Sequence, residues 1–83
     1  MPKVTNRLCI EYWDVKEYKT PPKVLRRINK NNILISASKF SEVMMFNSLR
    51  EAMPTAKLIL SFGGFDVKIR YCNQGNGDEF YLS

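Results

Sequence analysis

The chain has 83 residues, 45% of them hydrophobic and 25% charged, with a net charge of +5; this is the composition of one compact domain, residues 1–83, too short to bury a large core. Histidine is absent, which removes the usual neutral-pH base, the Ser–His and Cys–His nucleophile pairs and most zinc chemistry. Two cysteines, Cys9 and Cys72, are too few for a disulfide framework, and neither a secretory leader nor an apolar run of ~20 residues stands out, so free thiols in the cytoplasm and no membrane partner are expected.

The surplus charge is local. Lys16, Lys19, Lys23, Arg26, Arg27 and Lys30 stand against Glu17 alone, whereas the rest of the chain balances seven basic with seven acidic residues. Clustering of this kind is the footprint of phosphate contact, and a solvated loop looks the same in sequence.

In chain order, "RLCIEYWDV" reads as a strand with Leu8, Ile10 and Tyr12 on one face and Cys9, Trp13 and Val15 on the other. Both faces are partly apolar, which predicts a central strand or one covered on its second side. The basic stretch "KTPPKVLRRINKNN" follows and has two readings. In the preferred one Thr20 caps a short helix over 21–29, with Val24, Leu25 and Ile28 inward and Lys23, Arg27 and Lys30 as a basic stripe. In the other, "KVLRRI" and "NILISA" form a hairpin over Asn29–Asn32.

"SASKFSEVMMFNSLREAMP" carries apolar residues at spacings of three and four, which predicts the main amphipathic helix over 39–53, capped by Ser38 and stopped by Pro54. "AKLILSFGGFDVKIRY" alternates on both sides of Gly63-Gly64, predicting a hairpin with Phe62 opposite Phe65, Leu60 opposite Val67 and Leu58 opposite Ile69. Asn76-Gly77 signals a second turn, placing Phe80 opposite Asn73 and Leu82 opposite Tyr71 and completing a three-stranded meander over 57–83. The fold class is α+β, an antiparallel sheet of four to five strands under one main helix.

No catalytic set emerges. Asp66-x-Lys68 has the acid and lysine of metal-dependent nucleases, but the strand expected beside it offers no second carboxylate to complete a magnesium site. Gly75 and Gly77 precede no helix, so they cradle no phosphate. No metal or cofactor is expected. The candidate binding residues are Lys19, Lys23, Arg26, Arg27 and Lys30, with Tyr18 as a stacking face and Lys57 and Arg70 as an extension of the basic surface, expected to face each other across the first hairpin.

Three functions compete. The first is a non-enzymatic binding module whose basic segment engages nucleic acid or a nucleoprotein; small regulators and inhibitors encoded by mobile elements, anti-CRISPR proteins among them, share this size, though no residue motif ties the chain to them. The second is a protein-interaction domain or homodimer that uses an exposed sheet face or edge. The third is a metal-independent ribonuclease of the small toxin type, drawing on Arg70, Tyr71 and Tyr81.

Overall fold

The computed structural model describes residues 7–17 and 19–72. Within them the elements run β1 (Leu8–Asp14), β2 (Lys23–Ile28), β3 (Leu34–Ser36), a single 3-10 turn (Phe40–Glu42), α1 (Leu49–Ser61) and β4 (Phe65–Tyr71). The four strands form one antiparallel sheet in the order β3-β2-β1-β4. The class is α+β, as its alternating and helical patterns require. No helix among the described residues is long and apolar enough to cross a membrane.

β1 is central and covered on both faces. On one face Ile10 and Tyr12 join Leu25, Ala56 and Ile59 in a cluster closed by α1, with Val67 and Ile69 of β4 packed against it. On the other, Cys9 joins Val24, Val43 and Cys72 beneath Ala37, Phe40 and Met45. The partition of Ile10 and Tyr12 from Cys9 follows the strand alternation as expected, whereas Val15 lies past the end of β1 and is exposed. Burying a side chain such as Ile10 or Leu25 completely stabilises by about 1.5–3 kcal/mol.

The basic stretch is a strand, not a helix. Residues 23–28 form β2 and pair with β3 through a hairpin over Asn29–Asn32, the second of the two readings. Asn29 drives that turn: its Oδ1 accepts from the N–H groups of Asn31 (2.8 Å) and Ile33 (3.0 Å), and Asn32 takes a left-handed φ of 62°, which Asn tolerates better than most residues. An irregularity between Leu25 and Arg27 lets Leu25 and Ile28 both pack on the helix side, a spacing of three that plain alternation forbids and that imitates a helical repeat.

The main helix lies about ten residues later than expected, at Leu49–Ser61 and not 39–53. Its start is set by Ser48 and Glu51. The Ser48 Oγ accepts from the Glu51 N–H at 3.2 Å, and the Glu51 carboxylate accepts from the Asn47 N–H at 3.1 Å, which satisfies two donors at a helix start. Ser38 is no helix cap; its N–H donates to the Glu42 carboxylate at 2.8 Å. The apolar run Val43–Phe46 is extended. Val43 and Met45 pack on the far face while Met44 and Phe46 pack on the helix face, and Phe46 exchanges both backbone hydrogen bonds with Leu8 at 2.7 and 2.8 Å. Nor does Pro54 stop the helix. It lies inside α1, where its ring removes the donor that the Arg50 carbonyl would accept, a cost of about 3 kcal/mol that exposure of Arg50 to water relieves.

Gly63-Gly64 is a turn with φ of 76° and 82°, but it joins α1 to β4 and not strand to strand. The pairs Phe62–Phe65, Leu60–Val67 and Leu58–Ile69 therefore do not form, and Leu58 and Leu60 are 44% and 47% exposed on the helix. β4 pairs with β1 instead, from Leu8 opposite Tyr71 to Asp14 opposite Phe65. The Asn76-Gly77 turn, with Phe80 and Leu82, lies outside the described residues, so of the predicted meander only β4 is seen as a strand.

Candidate functional site

Lys16 and Lys19 project from the turn after β1, Lys23, Arg26 and Arg27 from β2, and Lys30 from the turn after β2; all six are exposed. Strand geometry replaces the helical stripe with cations spaced along β2 at about 3.3 Å per residue, Lys23 beside Tyr12 on the helix face and Arg26 on the far face. Arg26 leans over the far face to Glu42, N to O 3.6 Å. The Glu42 carboxylate is held below its ordinary range first by the Ser38 N–H, with partial burial opposing and the Arg26 charge assisting. Among the described residues the six cations outnumber the acids beside them, Asp14 and Glu17 on the turn after β1 and Glu42 against Arg26.

At the foot of the row is a small cleft of about 170 Å³ lined by Tyr12, Trp13, Asp14, Glu17, Lys23 and Phe65. The Phe65 ring stands edge-on to Tyr12, 6.2 Å between centroids and 76° between planes. Asp14 shapes the turn beside it by accepting from the Lys16 N–H at 2.8 Å. The cleft thus pairs aromatic walls with carboxylates that accept hydrogen bonds and a lysine that donates them. Tyr18, the expected stacking face, lies outside the described residues.

Lys57 and Arg70 do not extend this surface. Lys57 is exposed on α1, which packs chiefly on β4 and β1, and so lies outside the cations of β2. Arg70 faces the other side of the sheet and donates from Nη1 to the Glu11 carboxylate at 3.0 Å, the two side chains being 17% and 2% exposed. The expected like-charge pair across a hairpin is thus absent, because its first strand is a helix.

Glu11 is the residue that sequence reasoning passed over. It is the one buried charged residue among those described, set in mid-strand opposite Val24 on one side and Lys68 on the other. Its signal was available: a carboxylate amid apolar neighbours on a strand covered on both faces requires a buried cation. Asp66 lies opposite Trp13, so the strand beside Asp66-x-Lys68 is β1, which carries two carboxylates after all, Glu11 bound by Arg70 and Asp14 engaged in its own turn. Among the described residues no three Cys, Asp or Glu side chains are grouped to hold a metal ion.

Cys9 and Cys72, both buried and free, meet beside this ion pair. The hydrogen bond between their thiols, then burial, pushes the Cys9 thiol far above its ordinary range. The same hydrogen bond, opposed by burial and assisted by Arg70, lowers Cys72. Arg70 and Tyr71 alternate onto opposite faces, and Tyr81 lies outside the described residues.

The chain matches no protein-family model, no curated protein and no solved structure.

Proposed function

We propose that the protein is a non-enzymatic binding module that engages nucleic acid, alone or within a nucleoprotein, through β2 and its two flanking turns. The observation that carries this reading is the cluster of exposed cations Lys19, Lys23, Arg26, Arg27 and Lys30 along β2 and its flanking turns, beside the aromatic cleft. An extended row of cations suits a phosphate backbone, whose charges repeat along a line. The cleft suits an unstacked base, with Trp13 offering a π-face and Asp14 and Glu17 accepting from exocyclic amino groups. This favours single strands over duplex, whose bases are already stacked and paired.

The decisive measurement is fluorescence anisotropy of the full chain with single- and double-stranded DNA and RNA at ~50 and ~200 mM salt. Binding should fall steeply with salt, and single strands should bind more tightly than duplex. A Lys23→Ala/Arg26→Ala/Arg27→Ala variant should lose most of the affinity and flatten the salt slope by roughly 2–3. Lys57→Ala, on the helix, should change little. Absence of binding at low salt rejects the reading.

A further inference from the structure

We propose that the outer edge of β4 is an interface between two copies of this chain, joined antiparallel about a two-fold axis into one continuous sheet. This rests on a different part of the molecule from the nucleic-acid reading and stands or falls separately.

The backbone is the first ground. β4 is seven residues long and ends the sheet among the described residues. The Val15 N–H bonds the Gly64 carbonyl at 3.0 Å, and the Cys72 N–H bonds the Arg7 carbonyl at 2.8 Å. By antiparallel alternation the even-numbered residues of β4 direct their backbone groups to β1. Phe65, Val67, Ile69 and Tyr71 therefore present theirs at the outer edge, a row of donors and acceptors suited to another strand.

The sequence of that edge is self-complementary. Residues 65–69 read Phe-Asp-Val-Lys-Ile, apolar, acidic, apolar, basic, apolar. With the axis through Val67, each Val67 faces the partner's Val67 and Phe65 faces the partner's Ile69. Asp66 then faces the partner's Lys68, twice over by symmetry. All three apolar positions are among those whose backbone points outward, so this register meets the hydrogen-bonding phase of the edge, and among the registers that do, the charge match selects it. Moving the axis one step to Lys68 would set lysine against lysine, and moving it to Ile69 would set Lys68 against the partner's Arg70.

The helix supplies the hydrophobic part. Ala52, Ala56 and Ile59 of α1 face the sheet. In a right-handed helix running antiparallel to β4, Leu49, Met53 and Leu60 then project along the flank above the outer edge of β4. They are 56%, 38% and 47% exposed, and Tyr71 below them is 62% exposed. α1 packs on β4 and β1; centred between them, it would lie two strand spacings from its symmetry mate. That is about 10 Å, the separation at which helices pack. The two stripes would meet across the seam and cover each other, as an isologous dimer requires.

The test is the molar mass of the full chain by light scattering after size exclusion, with thermal melts to confirm that each variant is folded. The wild type should run at about twice its 9.7 kDa. Asp66→Lys and Lys68→Asp should each run as single chains, an equimolar mixture of the two should recover the doubled mass, and the double variant should dimerise alone. A wild type at the mass of one chain overturns the proposal, whether residues 73–83 or a foreign strand covers the edge instead. A dimer indifferent to the charge swaps, or a mixture that stays monomeric, overturns it equally.

Discussion

The two faces of β1 are covered by different means. Under α1 the contacts are hydrocarbon and aromatic: Ile10, Tyr12, Leu25 and Ile59 fill the space. Under the segment 37–45 the same strand buries two thiols and the Glu11–Arg70 ion pair beside Val24 and Val43. The helix face gains stability in proportion to the apolar area removed from water. The far face must instead satisfy charges whose desolvation consumes much of what their attraction supplies. That face also holds the anchor of Arg26, through Glu42, whereas Lys23, opposite Tyr12, stands on the helix face.

The largest expected effect follows from breaking that pair on one side only. Arg70→Met leaves the Glu11 carboxylate buried without its guanidinium partner and should lower stability by about 3–5 kcal/mol, read as a fall in the urea midpoint. Adding Glu11→Leu should recover most of the loss, since two well-packed apolar groups can replace a buried ion pair at little cost. If the double variant is no better than the single one, the pair is not the coupled unit that the 3.0 Å contact indicates. The helix face should respond in smaller and more graded steps. Ile10→Val removes one methylene from a fully buried site and should cost about 0.5–1.5 kcal/mol with no change in the steepness of the unfolding transition.

The same contrast explains what could be foreseen from the residues. The faces of β1 were legible because local alternation suffices to define them. Val43–Phe46 was not, since four apolar residues in a row fit a helical and an extended period equally well, and the β-bridge from Phe46 to Leu8 decides between them. Ser48 and Glu51 carried the true helix start, three residues apart, but the expected cap at Ser38 preceded a run of the right spacing and stood in their place. Gly63-Gly64 was recognisable as a turn, whereas what it joins depends on the long-range pairing of β4 with β1. The surplus of cations could be counted from sequence; that Arg70 stands apart from them could not, because its partner is 59 residues away.

The smallest effect concerns the link between the far face and the cationic row. The folded state holds the Glu42 carboxyl below its ordinary range, through the Ser38 N–H first and the Arg26 charge afterwards. A carboxyl so lowered contributes stability that is fully present above its unfolded pKa, near 4.3, and is lost as pH falls through the lower folded value. Wild type should therefore lose part of its thermal stability in that acid window, and Glu42→Gln should lose less of it over the same interval. Because Arg26 is about half exposed and the ion pair spans 3.6 Å, its share is screened by water and the Ser38 hydrogen bond dominates. Added salt should then leave the acid-window difference between wild type and Glu42→Gln nearly unchanged. If salt erases the difference, the Arg26 charge and not the backbone bond holds Glu42 in place, and the cationic row is fixed to the far face by electrostatics alone.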